Sequence, residues 1–177
     1  MRPNPWRDCL PGGLPDVALR SWLREPGSLT ARCQRHCQQF RVRLLDYGVG
    51  HPLADEGLLP SAGRQPGLVR EVVLECDGVP VIFAHTTLAG SGRGRLGRWL
   101  ARLGSRSLGS LLFAFPGFQR GAIEFSRLDR RHTLYRRAAA LGEVGHTLWA
   151  RRSWHGLDGQ RVVVTEVFLP AILQLRK

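Results

Sequence analysis

The chain has 177 residues, 43% of them hydrophobic and 23% charged, enough for one domain with a sizeable core. Lys+Arg number 26 against 14 Asp+Glu, a net charge of +12 that points to an anionic partner: nucleic acid, a membrane surface or an acidic metabolite. Gly 21 and Pro 11 are ordinary punctuation for a folded protein, and no stretch approaches the roughly 18 apolar residues of a membrane span.

In chain order, residues 1–15 hold Pro3, Pro5, Pro11 and Pro15 and read as an irregular lead-in, with 16–177 as a single domain. The opening Met1-Arg2-Pro3-Asn4-Pro5-Trp6 lacks the apolar segment of a secretory signal, so the expected location is cytoplasmic. Cys9, Cys33, Cys37 and Cys76 are accordingly read as reduced thiols. Asp16 opens a short helix carrying Val17, Leu19, Trp22 and Leu23. Pro26-Gly27 breaks it, and Ser28 caps a second helix running to about Gln38. Gln39 to Tyr47 alternates as a strand, and residues 48–67 read as a long loop. Leu68 to Cys76 and Val79 to Thr87 flank Asp77-Gly78, a two-residue hairpin signal.

Gly90 to Gly94 is a glycine-rich connection read as a mobile loop or flap. Leu96, Trp99, Leu100 and Leu103 then keep helical spacing up to Gly104. Ser107 caps another short helix with Leu108, Leu111 and Leu112. A strand follows from about Arg120 to Leu128, then a basic helical piece from His132 to Leu141. Two last strands, His146 to His155 and Gln160 to Leu169, flank Asp158-Gly159, a second hairpin signal. Strands that meet through hairpins make the sheet mostly antiparallel, and the class is α+β.

Charges on apolar faces are informative, because burying an unpaired charge costs several kcal/mol. Period two groups Arg70 with Leu68, Val72, Leu74 and Cys76, the one charge on the more apolar face of its strand. Glu166 lies in Val162 to Leu169, where both faces are apolar, so its carboxyl group needs a partner, a hydrogen bond or a proton. A structural ion pair with Arg70 or Arg152 accounts for it as well as a role as acid, base or substrate anchor does. An inward Arg and an inward Glu on different strands would make a small polar site, with an anion at one end and a hydroxyl at the other. The N–H groups following Ser28 and Ser107 would add donors if those helix starts point into it.

Other features carry less. Cys33-x-x-x-Cys37 with His36 is read as core rather than metal, since no second Cys/His pair completes a zinc set. Arg130-Arg131, Arg136-Arg137 and Arg151-Arg152 come without any helix-turn-helix, finger or RNA-binding signature and read as a solvated basic surface, so no nucleic-acid partner is expected.

Trp22-Leu23 with Ser28-Leu29-Thr30, Leu68-Val69-Arg70-Glu71-Val72-Val73-Leu74, Ser107-Leu108-Gly109, Leu148-Trp149-Ala150-Arg151-Arg152-Ser153 and Thr165-Glu166-Val167-Phe168-Leu169-Pro170 occur in this order. Together they resemble the chorismate pyruvate-lyase family of ubiquinone biosynthesis, over roughly Asp16 to Leu175. The resemblance implies a monomer whose six-stranded antiparallel sheet and covering helices enclose an internal site. It implies conversion of chorismate to 4-hydroxybenzoate and pyruvate, the first committed step of that pathway, with no metal or organic cofactor. By position, Arg70 would bind the ring carboxylate and Glu166 the product hydroxyl, as the two catalytic residues. Leu29 and Leu108 would add backbone groups to the same ligand.

Two departures are visible. Leu29 stands where a methionine is familiar, and residues 129–145 are longer than expected, with a basic stretch. Contact of that surface with acidic lipid headgroups is a further expectation, since the product next meets a membrane prenyltransferase. Ligand-sensing domains of some bacterial regulators are similar in fold and bind small molecules without turnover. The stretch before Asp16 is expected to leave no room for a DNA-binding domain, and both Arg70 and Glu166 are present, so the enzyme is the favoured expectation.

Overall fold

Local chemistry accounts for where each element starts and stops. In a computed structural model, which describes residues 5–10, 16–56, 65–90, 92–115 and 117–175, helix α1 spans Val17–Leu23 and α2 spans Leu29–Gln34. Asp16 Oδ1 accepts the Leu19 N–H at 2.9 Å and Ser28 Oγ accepts that of Ala31 at 3.3 Å, so both expected N-caps are in place. Helix α2 stops short of Gln38 because Asp77 Oδ1 takes the N–H groups of Gln38 and Gln39, at 2.9 and 2.7 Å. Those bonds draw the chain out into strand β1, Phe40–Gly50.

Strands β2 (Gly67–Cys76) and β3 (Val79–Leu88) form the first hairpin, with Asp77 and Gly78 at φ +52° and +81°. This is the left-handed pair that a two-residue turn between twisted strands requires. Helices α3 (Arg95–Leu103) and α4 (Leu108–Ala114) follow, then β4 (Gln119–Arg120), β5 (Glu124–Asp129) and α5 (Thr133–Ala139). Strands β6 (Thr147–Leu157) and β7 (Gln160–Phe168) close the second hairpin, and a 3-10 turn, Pro170–Gln174, ends the described chain.

All pairings are antiparallel, in one seven-stranded sheet of order β1-β2-β3-β7-β6-β4, with β5 also paired to β6. Six strands were expected, and the difference lies in the segment read as one strand from Arg120 to Leu128. A Cβ on Gly121 would sit 2.0 Å from Trp154 Nε1, so the chain passes Trp154 only as glycine and resumes pairing at Glu124. The two-residue β4 is the detached piece.

One sheet face is covered by α1 and α2 at one end and by α3 and α4 at the other, each over its own apolar cluster. The opposite face packs under α5 and Trp6, with Phe83, Leu128, Leu134, Tyr135 and Val167. The lead-in is more than irregular chain: Trp6 and Leu10 are buried, and the Trp6 indole donates to Asp55 Oδ2 at 2.7 Å. Residues 1–4, 11–15 and 57–64 of the expected lead-in and long loop lie outside the described residues. The glycine-rich connection read as a flap is clamped by Gln160, whose amide donates to Arg93 O at 2.8 Å and accepts from Leu96 N at 3.1 Å. Ser91, within it, lies outside the described residues.

Candidate active site

Between the two helical covers the sheet face holds a cavity with about 570 Å³ of empty space, counting the solvent at its mouth. Strand register builds its floor. Arg70, Thr86, Val164 and Ser153 stand in one cross-strand row over β2, β3, β7 and β6. Val72, Ala84, Glu166 and Arg151 form the next row, and Arg120 on β4 stands opposite His155. The roof brings Leu29 and Thr30 from α2, and Ser107, Leu108, Gly109 and Leu112 from α4 and the residue before it. All four residues singled out in the sequence, Arg70, Glu166, Leu29 and Leu108, therefore line one cavity.

Arg70 is 2% exposed and no carboxylate among the described residues pairs with it. One of its terminal nitrogens donates to Gly104 O at 2.9 Å and Arg106 O at 2.8 Å, which holds the turn between α3 and α4. Its Nε is buried with no hydrogen-bond partner among the described residues. Burial pushes its pKa down to about 10, with the Tyr47 phenol partly opposing. At neutral pH it is a desolvated cation with donors to spare, which is a carboxylate-binding arrangement.

Glu166 is not paired with Arg70 or Arg152, as the sequence alternatives had it. Its partner is Arg151, Nε to Oε2 at 2.6 Å, and Arg151 also donates to Glu25 O at 2.5 Å behind α1. The Arg151-Arg152 pair, read as solvated surface, is fully buried at 2% and 1% exposure. Neighbours in a strand face opposite sides, so Arg151 meets Glu166 in the cavity while Arg152 meets Glu124 at 2.8 Å on the far face. Arg120, Ser153 and His155 were also missed. Period two within Ala150 to Gly156 places Arg151, Ser153 and His155 on one face, a signal legible once Glu166 had been placed on the adjoining strand.

His155 Nε2 lies 3.1 Å from Ser153 Oγ. Burial, then the charges of Arg120 and Arg151, hold its pKa down to about 4, so the imidazole is neutral at neutral pH. The unfolded chain protonates this histidine near pH 6.5 and the folded one only near 4, so stability falls as pH drops through that window. The loss reaches about 3 kcal/mol by pH 4. His155→Gln keeps a partner for Ser153 without titrating, and its melting temperature is expected to fall by about 6–12 °C less than the native protein's across the window. Equal slopes in thermal melts would remove His155 as the cause. Asp55, held down to about 2 despite burial by His132 and Trp6, acts at lower pH and alike in both proteins.

Thr30 Oγ1 and Ser107 Oγ are hydrogen-bonded across the roof, joining the two helical covers directly above the cavity. Both covering helices begin here, with first-turn N–H groups that intrahelical bonding leaves open. Among the described residues, no group of three or more His, Cys, Asp and Glu side chains could hold a metal ion. Cys33 and Cys76 are buried, Cys37 is half-buried with its thiol pushed up to about 12 chiefly by burial, and all are free thiols.

An antiparallel α+β domain with an arginine-lined cavity enclosed between the sheet and its helical covers defines the class. A family model described as chorismate lyase matches residues 11–176, and the chain belongs to that family. It is 66% identical over 176 residues to a probable chorismate pyruvate-lyase of Dechloromonas aromatica, covering 99% of this chain and 100% of that one. A probable chorismate pyruvate-lyase of Methylobacillus flagellatus is 46% identical over 158 residues, 88% and 89% of the two chains. Among solved structures, the effector domain of PhnF from Mycobacterium smegmatis aligns with TM-score 0.52 at 21% identity, covering 81% of this chain and 89% of that one. The C-terminal domain of a histidine utilization repressor from Pseudomonas syringae pv. tomato gives 0.51 at 6%, covering 78% and 95%. These two share the fold.

Proposed function

We propose that the protein cleaves chorismate to 4-hydroxybenzoate and pyruvate, the entry reaction of ubiquinone biosynthesis, with its own side chains as the working groups. The observation that carries this reading is Arg70, a buried guanidinium without a carboxylate partner among the described residues, on the same sheet face as Glu166. Arg70 and Glu166 stand two strands and two register positions apart, about 12 Å at the backbone, and both side chains line the cavity. A ring acid with a carboxylate at one end and a hydroxyl at the other matches that spacing.

In the reaction the C3–O ether bond breaks and its electron pair leaves on oxygen as the enolate of pyruvate. The C4 proton departs, its electrons complete the aromatic ring, and one proton is taken up by the enolate carbon. Aromatisation makes the step downhill, so the protein's task is orientation in a dry pocket. Arg70 neutralises the ring carboxylate, and backbone groups at Leu29 and Leu108 add contacts while their side chains exclude water. Glu166 accepts from the C4 hydroxyl and fixes which proton of the ring is lost.

Purified protein incubated with chorismate, without added metal, is expected to release both products in equal amounts. Glu166→Gln is expected to lower kcat/KM by about 10²-fold, the usual size for a positioned proton-handling group. Turnover untouched by that change would remove Glu166 from the site. No turnover, with 4-hydroxybenzoate still bound, would make the domain a sensor like those of its fold relatives.

The reading extends to a cytoplasmic monomer that touches anionic membrane through α5 and the residues before it, without a nucleic-acid partner. No described helix is long and apolar enough to cross a membrane. Of the basic cluster, Arg137 is committed to Glu71, leaving Arg130, Arg131 and Arg136 to face lipid. Reversing those three charges is expected to release the protein from phosphatidylserine vesicles, and unchanged partitioning would refute the contact.

A further inference from the structure

Ser153 lines the cavity yet takes no part in holding the ring carboxylate or the C4 hydroxyl. It is buried on β6, and its Oγ is held from two sides. Arg120 Nε donates to it at 3.5 Å from β4, and His155 Nε2 lies 3.1 Å away on its own strand. Arginine can only donate, and the neutral imidazole of His155 carries one ring proton, whose position decides the rest. With that proton on Nε2, both neighbours donate to Oγ and fill its lone pairs. The Ser153 O–H is then left to point into the cavity.

Resting on the proposed lyase reading, we infer that Ser153 is a further catalytic residue, the hydrogen-bond donor to the C3 ether oxygen that becomes the pyruvate enolate. His155 is its positioning residue and holds the ring proton on Nε2. With the ring carboxylate at Arg70 on β2 and the C4 hydroxyl at Glu166 on β7, a substituent on C3 projects past C4 toward the next strand, β6. Ser153 stands there: it pairs with Val164, two residues before Glu166, about 8 Å from Glu166 at the backbone. The neighbouring cavity group on β6, Arg151, is committed to Glu166 and Glu25 O. Of the other hydroxyls lining the cavity, Thr86 stands beside Arg70 at the carboxylate end, and Thr30 and Ser107 bond each other in the roof.

The chemistry gives such a donor its effect in the transition state. In the substrate the ether oxygen shares a lone pair with the enolpyruvyl double bond and is a weak acceptor. As the C3–O bond breaks, the electron pair settles on that oxygen, and the enolate is a strong one. The Ser153 hydrogen bond therefore strengthens along the reaction, which speeds the chemical step without tightening ground-state binding. The hydroxyl keeps its proton throughout: C4 loses one as the ring becomes aromatic, and the enolate carbon takes one up.

The test separates the chemical step from binding. Ser153→Ala is expected to lower the single-turnover rate for chorismate, with protein in excess, by about 10²-fold, the usual loss for one such donor. Its Kd for 4-hydroxybenzoate, which has no oxygen at C3, should change less than threefold. An unchanged rate, or a matching loss of 4-hydroxybenzoate affinity, would overturn the role. The tautomer is read independently by nitrogen NMR of the native protein, with His155→Gln to assign the signal. Nε2 is expected to carry the proton at neutral pH. A proton on Nδ1 would mean that Ser153 donates to His155, and would overturn the inference even if Ser153→Ala failed to fold. Failure of the native protein to release pyruvate from chorismate would instead count against the lyase reading, whichever tautomer is found.

Discussion

Arg70→Met is expected to weaken binding of 4-hydroxybenzoate by about 10²–10³-fold, the cost of losing one partner of a desolvated charge pair. The same change should leave the ligand-free protein as stable as before, or more so. Arg70 is 2% exposed with no carboxylate among the described residues to pair with it, so the unliganded fold bears the cost of a buried cation. Methionine fills a similar volume without that cost, and such replacements are often neutral or stabilising. The opposing term is the loss of two hydrogen bonds to Gly104 O and Arg106 O. These are worth about 1 kcal/mol each or somewhat more for a charged donor, less than the relief from burial. Calorimetry for affinity and thermal melts for stability read the two effects separately. Unchanged affinity would sink the carboxylate role, whereas a large fall in melting temperature would make Arg70 a tie for the α3–α4 turn.

Arg151→Met should behave in the opposite way and destabilise the fold by about 3–5 kcal/mol, the usual cost of breaking one half of a buried ion pair. For a chain of this size that is a fall of about 6–20 °C in melting temperature. Arg151 is 2% exposed, neutralises Glu166 and donates to Glu25 O behind α1, so its removal leaves a carboxylate without its cation and a carbonyl without its donor. Adding Glu166→Gln to Arg151→Met should restore about half of the loss, because the stranded charge is then gone. A double variant no more stable than Arg151→Met would show that the tie to α1, rather than the charge, is what the fold requires.

These two arginines show why some of the site was legible and some was not. Arg70 and Glu166 interrupt long apolar strands, so each stands out as a charge where burial is expected, with no knowledge of neighbours. Arg151, Arg120 and His155 do not stand out. Arg151 precedes Arg152 in a basic sequence and looks like surface, and Arg120 comes at a glycine-interrupted stretch whose pairing is only two residues long. The same limit misplaced the end of α2, where the deciding group is Asp77 in a hairpin far along the chain.

What the sequence determined by itself were the features with local causes. The caps at Asp16 and Ser28, the turns at Asp77-Gly78 and Asp158-Gly159, and the alternation of the strands depend on residues within a few positions of one another. From these follow the hairpins, the antiparallel sheet and the inward direction of Arg70 and Glu166. What tertiary structure decided were the pairings across strands: Arg151 with Glu166, Arg152 with Glu124, and Arg120 beside Ser153. A charge's partner depends on which strands become neighbours and in what register. Register is a property of the whole sheet, because each strand's position is set by burying its apolar face against the others.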